Sequence, residues 1–385
     1  MNDMPLRVLV VDDAIFYRKV VKDILAELPD VMVVGTAGNG KIATARIASL
    51  KPDILILDIE MPEMDGLEVL AWMKEHCPEV GAIVLSGFTQ EGGDLTIRAL
   101  ELGAFDFIPK VEGGSMEESR SAIKSTLISM LKSFARKKDI RSILRGKPVP
   151  SRDIEKEKTG LDSEDVVQRM RMVTDQERMR SEIVGIGVST GGPNALGQVL
   201  SEIPGNLNTP ILIVQHMPPV FTRSLAKSLD SKCKIDVREA IDGESIQPHV
   251  ALIAPGGKQM KVAAAENGKG RIVRITDDPP ENSCKPSVDY LLRSIAHIYR
   301  GRATGVIMTG MGNDGILGLK LMKRNGAVII AQDEATCTIF GMPKEPIESG
   351  IVDVVAPLDK IAEEICRTVR SSFIDVRGLP EMTPK

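Results

Sequence analysis

The sequence predicts an α/β protein built on two doubly wound parallel sheets. Three observations carry this: short aliphatic runs alternate with amphipathic stretches of helical length, the alternation breaks once in a charged and strandless segment, and aromatic residues make up only 3% of the chain. Runs such as VLVV, ILIL, ILIV and GVIM are continuously apolar, as strands covered on both faces require. At 385 residues the chain exceeds one ordinary core and has room for two domains, or three.

Taken in order, RVLVV, VMVVGTA, DILIL, AIVLS and FDFI are the strands of a first unit, residues 5–138, and a helical stretch follows each. Its last helix places Ile123, Leu127, Leu131 and Phe134 on one stripe, spaced to lie against a sheet. Five such βα units predict a five-stranded doubly wound sheet. Residues 139–180 turn to mixed charge with Pro148, Pro150 and Gly160, which reads as a linker. Within it Val166, Val167, Met170 and Val173 recur at helical spacing, either as a helix docked on a domain surface or as a solvated, transient one. From Ile183 the alternation resumes and predicts a second α/β domain over residues 181–372. The stretch Val250–Ile275, with its GG and NGKG turns, reads as hairpins inserted into that sheet.

Composition narrows the function. A net charge of −4 disfavours a broad nucleic-acid face, so no nucleic-acid partner is expected. Five scattered cysteines without a CxxC pair suggest neither a disulfide framework nor a zinc site, and point to a reduced, cytoplasmic protein. The N-terminus lacks a basic stretch before its short apolar run, and no segment reaches the roughly 18 apolar residues of a membrane helix, so neither secretion nor membrane insertion is expected.

Two sets of polar residues stand at predicted strand ends, where α/β sheets gather their functional groups. In the first, Asp12 and Asp13 follow RVLVV, Asp58 follows DILIL, Ser86 ends AIVLS and Lys110 follows DFIP. A single strand-end Asp is usually a turn or cap residue, but these positions in register predict a phosphoryl-transfer site. Crowded carboxylates call for a hard cation, so Mg2+ is expected on Asp12 or Asp13 together with Asp58. Asp58 would then be the phosphoacceptor, with Lys110 and Ser86 contacting the phosphate.

In the second set Ser189 ends GIGVS, His216 follows ILIVQ and Asp314 lies in GMGNDG: a candidate nucleophile, base and orienter. Each alone has a plainer reading, a helix cap for Ser189, a satisfied structural imidazole for His216 and a turn for Asp314. Their coincidence at three strand ends favours a hydrolase. Gly185 and Gly187 imitate a dinucleotide fingerprint, but Thr190 stands where its third small residue belongs and Gln215 and His216 end the next strand where an acid is wanted. No cofactor is therefore expected in this domain. GxSxG is absent as well; Gly191, Gly192 and Pro193 instead suit a sharp strand-to-helix corner. The backbone N–H groups of Thr190 and Met311 are candidate oxyanion donors.

The VVDD, ILDIEMPEMDG, VLSGFT and DFIPK segments resemble a response-regulator receiver domain, a flavodoxin-like fold, with Val111 standing where that family usually has proline. The segments GVSTGGP, VQHMP, IAPGG, PSVDYL, VIMTGMGNDG and QDEATCTIFGMP, in this order, resemble the CheB family of protein-glutamate methylesterases and glutaminases. That resemblance implies a triad of Ser189, His216 and Asp314 which demethylates glutamate methyl esters and deamidates glutamines. It also implies methyl-accepting chemoreceptors as substrates, a chemotaxis histidine kinase as phosphodonor, and a receiver that covers the hydrolase entrance until Asp58 is phosphorylated. Two rivals remain at this stage: a phosphorylation-controlled DNA-binding regulator, which the long, strand-rich and acidic second half disfavours, and a receiver fused to a catalytically silent binding module.

Overall fold

The computed structural model describes residues 5–110, 116–146, 180–266, 268 and 270–369. The first unit runs β1 (Leu6–Val11), α1 (Ile15–Leu25), β2 (Val31–Ala37), α2 (Gly40–Leu50), β3 (Ile54–Asp58), α3 (Gly66–His76), β4 (Gly81–Ser86), α4 (Gln90–Glu101), β5 (Asp106–Pro109) and α5 (Met116–Gly146). The strands pair in parallel in the order β2-β1-β3-β4-β5. Every residue of β3 is buried, which is why its sequence is an unbroken apolar run rather than an alternating one. Helix starts are read directly from side chains: Asn39 caps α2, Thr89 caps α4, and Asp65 with Glu68 closes a capping box on α3.

The α5 stripe is as predicted, with Ile123, Leu127 and Leu131 buried against the sheet and Phe134 packed beside them. The helix itself continues to Gly146, so the expected boundary at 138 and 139 falls inside it. Lys, Arg and Asp after Phe134 mark charge, and charged residues are compatible with a helix as well as with a linker. Val166, Val167, Met170 and Val173 lie outside the described residues, as does Val111.

The second unit contains β6 (Ile183–Val188), α6 (Gly192–Glu202), β7 (Ile211–Gln215), α7 (Phe221–Asp230), β8 (Asp236–Glu239), β9 (Val250–Ile253), β10 (Gln259–Ala264), β11 (Arg271–Thr276), α8 (Val288–Tyr299), β12 (Ala303–Ile307), α9 (Ile316–Arg324), β13 (Val328–Gln332), α10 (Lys344–Glu348), β14 (Val354–Ala356) and α11 (Leu358–Val369). Seven strands form a parallel sheet in the order β14-β13-β12-β6-β7-β9-β8, and β10 with β11 forms a separate antiparallel hairpin. The expected insertion is thus only β10–β11. Val250–Ile253 is instead a parallel strand between β7 and β8, buried throughout, as its run of apolar residues requires. Short β14 and α10 are elements that the sequence reading missed.

Chain order reverses at β6, which has β7 on one side and β12 on the other. Switch points of this kind are where α/β sheets gather their functional groups. The glycines of β6 bring α8 close: a Cβ on Gly185 would stand 2.7 Å from Ile295 and Leu292, and one on Gly187 would stand 2.4 Å from Val288. Their role is helix-to-sheet packing, and this packing sets where the N-terminus of α8 lies.

The two units share one apolar cluster. Phe221, fully buried at the start of α7, has its ring 4.6 Å from Phe107 of β5 and 5.7 Å from Phe88. Polar contacts surround this aromatic group. Asn194 donates to the Leu100 carbonyl (2.9 Å), Gln90 to Ser224 (2.9 Å) and Ser228 to Glu101 (2.5 Å), while Lys232 pairs with Glu101. Gly93 allows α4 to approach, since a Cβ there would lie 2.8 Å from the Ser224 hydroxyl.

Replacing Gly187 with alanine should destabilise the second domain by about 1–3 kcal/mol through overpacking against Val288. Chemical denaturation of the full chain measures this, and an unchanged midpoint would show that α8 is not held close through that position.

Candidate functional sites

In the first unit the strand order places Asp58 at the end of β3 between β1, which leads to Asp12, and β4, which ends in Ser86. Lys110, just after β5, reaches across with Nζ 2.8 Å from Asp58 and 3.0 Å from Asp12. Its backbone N–H donates to the Ser86 carbonyl (2.7 Å), which fixes the approach. Carboxylate oxygens of Asp12, Asp13 and Asp58 all lie within 4.8 Å of one another. Asp12 and Asp58 are buried, and Asp13 is exposed.

One ammonium does not neutralise this group. Burial and the Asp12 charge push the Asp58 carboxyl up to about 6 against the pull of Lys110, and burial raises Asp12 as well. Burial opposes the charge on Lys110, but the two carboxylates outweigh it and raise its pKa. A donor set made of oxygens alone, with excess negative charge, fits a hard divalent cation. Ser86 points elsewhere: its hydroxyl donates to the Gly92 carbonyl (3.0 Å) and accepts from Thr96 (2.5 Å), both on α4.

The second site forms where three neighbouring strands end. Ser189 follows β6, His216 follows β7, and Asp314 lies in the loop between β12 and α9. The serine turn is tied to both sides. Its N–H donates to the Thr309 carbonyl (3.0 Å), and its own carbonyl accepts from Gly192 N–H (2.7 Å) and from the Gln215 amide (3.0 Å). Gly191 takes φ +76°, and Gly310 lets the β12 end press on the serine, because a Cβ there would lie 2.8 Å from the Ser189 Cβ.

His216 is anchored by its N–H on the Val188 carbonyl (3.1 Å), and its Nε2 lies 2.9 Å from Asp314 Oδ2. Asp314, itself buried, accepts four further hydrogen bonds: from Asn282 Nδ2 (3.1 Å), Ser287 Oγ (2.9 Å), Val288 N–H (2.7 Å) and Asp289 N–H (3.1 Å). The carboxylate therefore sits on the open N-terminus of α8, where amides and helix dipole favour negative charge. Burial resists its ionisation, but His216 and these amides overcome that and hold its pKa below the usual carboxylate value. Burial also disfavours the imidazolium, yet the bond to Asp314 and the contact with Cys284 outweigh it and raise His216 to about 9.

The expected chain of hydroxyl, imidazole and carboxylate is closed at His216–Asp314 and open at Ser189, whose hydroxyl donates no hydrogen bond among the described residues. Nδ1 of His216 instead faces Cys284 Sγ at 3.8 Å. The backbone N–H groups of Thr190 and Met311 find no acceptor among the described residues and flank the serine: one follows it in the chain, and the other follows Gly310, which packs on it. Gln215, Asn282, Cys284 and Ser287 are the members that sequence reading missed. Ser287 was legible only as the residue before an amphipathic helix, and nothing local linked it to an aspartate 27 positions later.

Comparison with known proteins agrees with this division. The family model for the response regulator receiver domain matches residues 8–121, and that for CheB methylesterase matches residues 184–365. A relative from Desulfotalea psychrophila, named protein-glutamate methylesterase/protein-glutamine glutaminase, is 51% identical over 95% of this chain and 99% of its own. Relatives of the same name from Trichodesmium erythraeum (41% identical over 94% of this chain and 99% of its own) and Lawsonia intracellularis (39% over 93% and 98%) match along the same length. With a receiver-type carboxylate pocket and a strand-end serine, histidine and aspartate joined in one such chain, the protein belongs to the CheB family of protein-glutamate methylesterases/protein-glutamine glutaminases.

Proposed function

We propose that this chain is a phosphorylation-controlled serine hydrolase that removes the methyl group from glutamate methyl esters of chemoreceptors and deamidates their glutamines. The observation that carries the reading is the convergence of Ser189, His216 and Asp314 on the switch point of one parallel sheet, with a receiver packed on the same domain. Asp314 holds the Nε2–H tautomer of His216, which leaves the Nδ1 lone pair to accept the Ser189 proton. Ser189 Oγ attacks the side-chain carbonyl carbon, and the developing oxyanion is received by the N–H groups of Thr190 and Met311. His216 then protonates the departing methoxide, or the amide nitrogen of glutamine, and methanol or ammonia leaves. A water deprotonated by the same imidazole hydrolyses the acyl-enzyme and restores the serine.

Control begins at Asp58, whose carboxylate accepts a phosphoryl group from a chemotaxis histidine kinase. Asp12, Asp13 and Asp58 would hold Mg2+, which when bound offsets carboxylate and phosphoryl charge. Lys110 exchanges carboxylate partners for the phosphate, and Ser86 can contact it only by leaving Gly92 and Thr96 of α4. That helix packs on α7 beside Phe107 of β5, and Phe88, two residues beyond Ser86, touches Phe221. Phe221 follows Val220, a β-branched residue held at φ +76°, in the segment that descends from His216. A new α4 position thus acts on the edge of the hydrolase site, and phosphorylation shifts the population away from the packed state. No helix among the described residues is long and apolar enough to cross a membrane, in keeping with a cytoplasmic enzyme acting on the cytoplasmic helices of its receptors.

Three measurements test this reading. Methanol release from methylated receptor should fall by at least roughly 10³-fold in Ser189→Ala with circular dichroism unchanged, and stimulation by a small phosphodonor with Mg2+ should vanish in Asp58→Asn; intact turnover or intact stimulation would remove the respective residue. Because the base must be neutral and His216 is raised to about 9, kcat/KM should climb with pH through an acid limb well above the ordinary histidine value of 6.5. Finally, Asp58 has a folded pKa above its unfolded one, so its ionised form costs stability above about pH 6 and this cost fades as pH falls toward 3.8. In chelator at neutral pH Asp58→Asn should therefore raise the melting temperature, by a stabilisation on the order of 2 kcal/mol. Mg2+ should stabilise the wild type more than the variant.

A further inference from the structure

His216 has one imidazole nitrogen turned to Asp314 and the other turned to a thiol. Cys284 Sγ lies 3.8 Å from Nδ1, the nitrogen whose lone pair Ser189 requires, and Cys284, His216 and Asp314 offer a sulfur, a nitrogen and an oxygen within 4.8 Å of one another. The thiol is firmly placed. Glu281 and Cys284 pair through both backbone N–H groups (3.1 and 2.7 Å) across a two-residue turn in which Asn282 and Ser283 take φ +50° and +62°. Such a turn needs left-handed backbone at both central residues. Asn282, in the same turn, donates to Asp314 and to Asp289, so one hydrogen-bonded network sets both the cysteine and the carboxylate that orients the imidazole.

We propose that this site binds a zinc ion between Cys284 Sγ and His216 Nδ1, and that zinc is a reversible inhibitor of the hydrolase. Tetrahedral zinc with ordinary Zn–N and Zn–S bonds sets its nitrogen and sulfur ligands about 3.6 Å apart, so the observed spacing needs only a small closure. Asp314 on Nε2 supplies the carboxylate–histidine–metal arrangement that fixes a ligating imidazole. Binding releases the thiol proton and the Nδ1 proton of the imidazolium to solvent, breaks the Cys284 contact with the Asn282 carbonyl (3.5 Å), leaves Nε2–H on Asp314 and leaves the remaining positions on the metal to water. Two protein ligands, rather than the four of a structural site, make the ion removable by a chelator. Inhibition follows because a single lone pair on Nδ1 cannot hold the metal and accept the Ser189 proton. The inhibitory arm rests on the proposed hydrolase; the binding arm does not.

The test uses the full chain in excess Mg2+, so that the receiver carboxylates are not the zinc sink. Co2+ as a zinc substitute should give a thiolate-to-cobalt charge-transfer band in the wild type that is lost in Cys284→Ser and displaced by Zn2+. Buffered Zn2+ should inhibit methanol release, a chelator should reverse it, and the inhibition constant, taken against each protein's own zinc-free rate, should rise by at least about tenfold in Cys284→Ser. Absence of the band from the wild type, an equal band in both proteins, or equal zinc sensitivity of both would overturn the proposal. A thiolate band with no hydrolysis under any condition would leave zinc binding standing and count against the hydrolase reading instead.

Discussion

The carboxylate of Asp314 on the N-terminus of α8 is the contact on which the hydrolase site rests. It brings together β12, the end of β7, the Glu281–Cys284 turn and the helix packed on the glycines of β6. A buried carboxylate without such partners would take up a proton and lose its hold on the imidazole. Here the helix amides keep it charged, and this in turn holds a proton on Nε2 of His216, so that the neutral imidazole carries its lone pair on Nδ1. The order of causes runs from Gly185 and Gly187, through close helix packing, to the tautomer of a histidine.

The receiver site is organised by the opposite condition, a charge left partly unbalanced. Asp12 and Asp58 share Lys110, and one ammonium leaves negative charge on a group whose donors are all oxygens. Ser86 stands between this pocket and α4, and its present hydrogen bonds are made to the helix. The two units are not merely tethered: an apolar cluster continuous through Phe107 and Phe221 joins them. Packed aromatic rings therefore connect the receiver sheet with the segment that follows His216 in the other unit.

Much of this was legible in the sequence. Strand runs, helix stripes and polar strand-end residues located both sheets and the strand ends where Lys110 meets Asp12 and Asp58 and where His216 meets Asp314, because buried parallel strands need continuous apolar residues and their ends carry the polar groups. The turn-rich flanks of Val250–Ile253 point to an insertion while its apolar run belongs to a buried parallel strand, and the charge after Phe134 suits a linker and a helix alike. Asn282, Cys284 and Ser287 were not legible as site residues. Their significance comes from what they face, and no local pattern encodes a neighbour in another segment.

By itself, then, the sequence determined the α/β class, the placing of two chemistries in two units, and the identity of Ser189, His216, Asp314, Asp12, Asp58 and Lys110 as the groups at strand ends, since each follows from short-range periodicity and residue type. Only the tertiary structure decided which imidazole nitrogen meets Asp314, that Cys284 occupies the other side, that Ser86 is turned to α4, and that Phe221 joins the two cores. Those are relations between segments far apart in the chain. Strand order and helix packing establish them, and neither is written in any single stretch of residues.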